Sequence, residues 1–168
     1  TVMQLDAELD HGAILGAAEE AITSQDTGAT LHDRLAELGG TILPDILAGY
    51  LDGSVIPTEQ NHSQATFCKT MSRDDGKIDW NKSAEEIERM VRAYTPWPGT
   101  WTEHDGKRLK IYSVKIGSTA TESAGTFFMY DKKPQIACGN GTSIELVTIQ
   151  REGGKITPAS SLGEIGSA

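Results

Sequence analysis

Apolar residues recur along this chain in two rhythms, and the rhythm changes near its middle. Between Asp26 and Gly53 they keep three- and four-residue spacing at Leu31, Leu35, Leu38, Ile42, Ile46 and Tyr50. This is the stripe of one long amphipathic helix. Asp26-Thr27 offers an N-cap, because a side-chain oxygen there can accept a free amide of the first turn. Pro44 removes a backbone donor and predicts a bend or a restart, and Asp52-Gly53 closes the helix. Ahead of it, Val2-Met3-Gln4-Leu5 reads as the end of a buried strand. Asp6 to Gly12 reads as a polar loop and Ala13 to Thr23 as a second strand. Strand, loop, strand and long helix suit the last part of an α/β domain.

Residues 54 to 74 lack periodicity and are polar, which predicts a surface linker. A turn at Asp75-Gly76 then leads into a short strand ending at Trp80. Ser83-Ala84-Glu85-Glu86 has the wording of a reciprocal capping box, and Ile87, Met90, Val91 and Tyr94 form the inward stripe of the helix behind it. Pro96 ends that helix, since the residue before a proline is pushed out of helical geometry. Trp97 and Trp101 bracket the Pro98-Gly99 turn and are expected to pack against Ile87 and Met90. The alternative use of aromatics beside basic residues is as stacking platforms for nucleic-acid bases.

From Lys107 onward the period drops to two. Lys107 to Ile116 alternates with Leu109, Ile111 and Val114 inward, followed by the polar loop Ser118 to Ser123. Gly125 to Tyr130, Gln135 to Cys138, Thr142 to Gln150 and a last strand around Gly154-Lys155-Ile156 read as short strands. Asn140-Gly141 is a strong hairpin signal. Short strands at this spacing predict a small barrel.

Charge sharpens the division. Of the formal net charge of −9, residues 1–64 carry eleven carboxylates against the single Arg34, whereas the remainder holds fourteen Lys/Arg and thirteen Asp/Glu. Phosphate neutralisation supplies most nucleic-acid affinity, so this balance argues against a generic nucleic-acid binder and leaves only local patches, and no DNA partner is expected. Lys107, Arg108, Lys110 and Lys115 form the one strong local excess. Positions 108 and 110 share a strand face. No run reaches the roughly 18 apolar residues that span a bilayer, so no membrane partner is expected. Cys68 and Cys138 are far apart and are expected to be reduced core residues, consistent with a cytoplasmic location. His11, His32, His62 and His104 lack ligand spacing, so no metal is expected. His11 reads as a solvent-facing loop residue.

The stretch DGKIDWNKSAEEIERMVRAYTPWPGTWTEHDGKRLKIYSVKI, from Asp75 to Ile116, resembles the start of the C-terminal domain of the methionyl-tRNA formyltransferase family. PWPG followed by Trp is typical wording there, and the loop Leu9-Asp10-His11-Gly12 resembles the LDxG loop of folate-dependent formyltransferases. The resemblance implies an α/β segment closing a Rossmann-like formyltransferase domain (residues 1–62). An OB-like, mostly-β barrel with one N-terminal helix (residues 63–168) would follow. It also implies a formyl donor, 10-formyltetrahydrofolate, and an acceptor, initiator methionyl-tRNA. Asp10 would be catalytic, Leu9 and Asp10 would face the cofactor, and Arg92, Lys107, Arg108 and Lys110 would contact tRNA. Ala13 departs from the Asp more familiar at that place.

The chemistry explains why a carboxylate is needed. The amine attacks the formyl carbon, a tetrahedral oxyanion develops, and a proton passes from the amine to the folate nitrogen that leaves. General acid–base help of this kind is worth about 10²–10⁴-fold. The family's partner His and Asn lie on earlier strands, so this chain is expected to be an inactive fragment by itself. Two other readings stand beside this one: a formyltransferase acting on a nucleotide-sugar amine, and a non-enzymatic RNA-docking module.

Overall fold

The computed structural model describes residues 1–162. The last part of the expected second domain, 163–168, lies outside the described residues. Two compact units are present, Thr1–Thr70 and Met71 onward. The polar stretch from 61 to 72, beside the boundary expected after residue 62, is exposed throughout.

In the first unit β1 (Val2–Met3) pairs antiparallel with β2 (Ile14–Gly16), and Ile14 exchanges both main-chain bonds with Thr58 at 2.8 and 2.9 Å. The parallel sheet of a Rossmann-like domain is not formed among the described residues. The strand expected over Ala13 to Thr23 shrinks to three residues, and further along side chains take up backbone groups at Ala21 and Thr23. Arg34 donates to the Ala21 carbonyl at 2.6 Å, and the Asp26 carboxylate accepts from the Thr23 amide at 2.7 Å. Arg34 also pairs with Asp26 and with Glu20. These bonds hold the buried Asp26 carboxyl well below the usual carboxylate range, the Thr23 amide contributing most and Arg34 next.

Helix α1 (Gly28–Asp52) starts where the sequence predicts. Thr27 is the N-cap, with Thr30 returning the bond, and Gly53 closes it in the left-handed conformation at φ 83°. Pro44 lies inside the helix without dividing it, so the predicted restart does not occur. The helix meets β2 through Ile46, which fills the space beside Gly16, and Tyr50 Oη accepts from the Gln4 amide at 2.6 Å. Leu35, Leu43, Leu47 and Leu51 remain exposed along it.

The second unit holds α2 (Ala84–Ala93) against a six-stranded antiparallel sheet. Its strands are β3 (Thr100–His104), β4 (Lys107–Ile116), β5 (Phe127–Tyr130), β6 (Lys133–Ala137), β7 (Ser143–Arg151) and β8 (Ile156–Pro158). β7 takes β4 along one edge, and β6 and then β8 along the other. The order β3-β4-β7-β6-β5 leaves β3 and β5 at the ends of the sheet, so the barrel expected from strand spacing is not closed by hydrogen bonds among the described residues. Side chains bridge the seam instead. The His104 ring lies 4.1 Å from that of Phe127, and Trp80 Nε1 donates to Thr102 Oγ1 at 3.0 Å while its ring rests on Gly125.

The core joins Ile87 and Val91 of α2 to Leu109, Ile111, Ile136, Ile144, Leu146 and Ile149. Burying each such side chain favours folding by about 1.5–3 kcal/mol before entropy is counted. Ser83 and Glu86 form the predicted capping box, and the Ser83 Oγ acceptor lies 3.3 Å from the Glu86 amide. The strand expected from Asp75 to Trp80 is a short 3₁₀ turn, Arg73–Gly76, followed by a single bridge from Lys77 to Trp101. β3 itself was not expected. Cys138 is buried, which pushes its thiol up to about 11, but Cys68 is exposed, contrary to its expected place in a core. No helix among the described residues is long and apolar enough to cross a membrane.

Gly76 marks the tightest approach between the turn before α2 and the corner after it. A methyl group there would overlap the Gly99 carbonyl oxygen. Gly76→Ala is therefore expected to lower the stability of the second unit by about 1–3 kcal/mol, as overpacking does. Thermal unfolding measures it, as a midpoint several degrees lower.

Candidate functional site

The loop Asp6–Gly12 is fastened at three points. Asp6 accepts from the Glu8 amide at 2.9 Å and pairs with His11 Nδ1 at 2.6 Å. This pairing raises the His11 pKa and lowers that of Asp6. The His11 ring stacks on His62 at 3.8 Å between centroids, with 10° between planes. The Gln60 amide donates to the carbonyls of Asp10 and Gly12 at 2.9 and 2.8 Å. Gly12 is required by close approach, since a methyl there would overlap the Gln4 carbonyl.

Asp10 sits at the tip with φ 54°, a left-handed conformation that Asp tolerates better than most residues. Leu9 is 96% exposed, and Asp10 is exposed too. The fastening thus acts on the main chain, and among the described residues the Asp10 carboxylate has no hydrogen-bond partner. Such a group is free to accept from a ligand while its backbone stays fixed. His11 keeps about a third of its side chain exposed, as a loop residue should, but Asp6 and His62 also hold it. Asp6, Gln60 and His62 were missed as loop supports, the last two lying in a segment whose sequence shows no periodicity.

The second unit places the expected cationic residues unequally. Asp105-Gly106, both at positive φ (51° and 71°), turns β3 into β4 as a primed hairpin turn requires. The register sets Trp101 opposite Lys110 and Glu103 opposite Arg108. Leu109 and Ile111 are buried, so Arg108 and Lys110 emerge on the other face with Trp101. The Arg108 guanidinium lies 3.8 Å from the Trp101 ring centroid and Lys77 Nζ 5.3 Å from it, while Trp101 Nε1 donates to the Arg73 carbonyl at 3.0 Å.

A cleft of about 270 Å³ opens beside this stack, with Arg73, Arg108, Lys110, Trp97 and Tyr112 among its walls. Lys107 instead lines a separate cleft of about 580 Å³, with His104, Phe127 and Arg151. Arg92 lies on α2, bonded to Glu88 at 2.6 Å, and is not a wall of either cleft. Trp97 is 56% exposed, and Trp101, though buried, stands apart from the core that holds Ile87, so the packing expected of both tryptophans against Ile87 and Met90 is not found. The nearness of Arg73 was invisible in the sequence, since it depends on the tight turn at Gly76. No group of His, Cys, Asp and Glu among the described residues has the arrangement of a metal site.

Residues 70–164 match the family described as formyl transferase, C-terminal domain, and the chain belongs to that family. Over 159 residues it is 37% identical to a methionyl-tRNA formyltransferase of Marinobacter nauticus, a match covering 92% of this chain and 50% of the relative. The chain thus spans about half the length of that curated relative and corresponds to its C-terminal portion. Two solved structures share the fold at lower identity. HypX of Aquifex aeolicus in complex with tetrahydrofolic acid superposes with a TM-score of 0.66 at 16% identity, covering 95% of this chain and 28% of that one. An N-formyltransferase of Helicobacter canadensis, in complex with folinic acid and dTDP-3-aminofucose, gives 0.63 at 17%, covering 86% and 53%.

Proposed function

We propose that this chain serves the transfer of a formyl group from 10-formyltetrahydrofolate to the amino group of initiator methionyl-tRNA. The first unit would present the catalytic carboxylate and the second would hold the RNA. The observation that carries the reading is the 37% identity with a methionyl-tRNA formyltransferase over nearly the whole chain. The exposed, unpartnered Asp10 on its fastened loop supports it.

In the reaction, a bond forms between the methionyl nitrogen and the formyl carbon, and the bond from that carbon to the folate nitrogen breaks. The amine proton ends on the folate nitrogen. Asp10 would hold or orient that proton, with Leu9 beside it against the donor. By the family resemblance, the folate loop and the partner Asn and His would lie on earlier strands. Arg108 and Lys110 would neutralise phosphates of the acceptor, and Lys107 and Arg92 would widen that field. Shape and backbone dominate recognition of RNA helices.

The binding half of the proposal is testable on the chain itself. Titrating methionyl-tRNA binding against salt is expected to give a log–log slope of about −0.9 for each phosphate neutralised on a duplex. A flat response would remove tRNA as the partner.

A further inference from the structure

We infer that the cleft beside the Pro96-Trp97-Pro98-Gly99 corner is a subsite for one unpaired nucleotide, its base stacked on Trp97 and its phosphates met by Arg108, Lys110 and Arg73. The inference rests on the reading of the second unit as RNA-binding and adds which part of the RNA it takes.

Trp97 is the first observation. It is more than half exposed, whereas Trp101 is buried and Trp80 is engaged with Thr102. Prolines on both sides fix the chain at φ near −65°, and the Gly99 amide bonds back to the Tyr94 carbonyl at 2.9 Å. An exposed indole on so constrained a support stacks with little loss of conformational freedom.

The cations are the second. Among the described residues, no carboxylate is ion-paired with Arg73, Arg108 or Lys110, whereas Lys77 is taken by Glu103 at 3.2 Å and Arg92 by Glu88. The Arg108 guanidinium carbon lies over the Trp101 ring, 3.8 Å from its centroid. The guanidinium is thereby oriented while keeping N–H groups for a ligand. Glu152 bonds only its main chain, with Oε2 3.3 Å from the Arg108 amide.

Size is the third. At about 270 Å³ the cleft is smaller than the roughly 300–1,000 Å³ of sites that engulf drug-sized ligands. It suits a single base and excludes a helix. Only unpaired bases offer a free face to an aromatic side chain, since those of a duplex are stacked inside it.

The test uses the full chain and two labelled probes at one salt concentration: an unstructured RNA of about eight nucleotides, within the usual single-strand site size, and a blunt RNA duplex. Trp97→Ala is expected to weaken the single strand by about 5- to 150-fold, the range of one base–aromatic stack. Duplex affinity should stay within about twofold, and Trp97→Phe should recover most of the loss. Single-strand affinity unchanged in Trp97→Ala overturns the subsite, as does an equal loss on both probes, and either leaves RNA binding standing. Failure of the unaltered chain to bind either probe overturns the subsite and the RNA reading together.

Discussion

Asp10→Asn is expected to lower formyl transfer by about 10²–10⁴-fold, the usual contribution of a positioned proton-transfer group. The assay joins this chain to the half of the Marinobacter nauticus relative that it does not match. Asn has nearly the shape of Asp and also tolerates the left-handed backbone at φ 54°. The bonds from Gln60 reach main-chain carbonyls and do not depend on the Asp10 side chain. The loop and the fold should therefore survive, so that kcat falls while KM and the melting temperature stay near their original values. Turnover within about threefold of the unaltered protein would remove Asp10 from proton transfer.

The second large effect belongs to the basic face. Arg108→Glu with Lys110→Glu is expected to flatten the salt slope of tRNA binding by about 1.4, two phosphate contacts on unpaired RNA at about 0.7 each. At 0.1 M salt this corresponds to roughly 25-fold weaker binding, and the introduced carboxylates add repulsion. Both side chains lie on the face opposite the buried Leu109 and Ile111, so the core should be undisturbed. Arg108 also gives up its place over Trp101, which would cost stability by about 0.5–1 kcal/mol. Comparing melting curves separates that loss from the loss of binding. An unchanged slope would make this an ordinary solvated strand face.

What the sequence shows of this fold tracks the distance over which each element is determined. The caps at Thr27 and Ser83, the helix stop before Pro96 and the turn at Asn140-Gly141 depend on a few adjacent residues, and all were legible. So was β4, whose alternation over Lys107–Ile116 set Leu109 and Ile111 inward. The failures involve partners far along the chain. The strand predicted over Ala13 to Thr23 stops at Gly16, and Arg34 takes up the Ala21 carbonyl from within α1. Pro44 does not divide α1, so the missing donor and the ring are accommodated within one helix. Barrel closure depends on edges β3 and β5 finding each other, and there Trp80 and His104 fill the seam in place of a ladder.

The candidate site divides in the same way. Leu9-Asp10 and the basic run are local wording and could be singled out. Their surroundings could not: Gln60 and His62 reach the loop from about fifty residues away, as the separation of 50 between Gln60 and Asp10 shows. Arg73 reaches the Trp97 cleft only because Gly76 lets two turns touch. Trp97 was expected to pack against Ile87 and Met90, and its exposure is what gives the corner a binding face.

The account turns on the acceptor. The joined protein should be given 10-formyltetrahydrofolate with initiator methionyl-tRNA and a dTDP-linked amino sugar in the same reaction, and both acceptors assayed for formyl amide. Formylated methionyl-tRNA and an untouched sugar are expected. A formylated sugar beside unreacted methionyl-tRNA would contradict the proposed function.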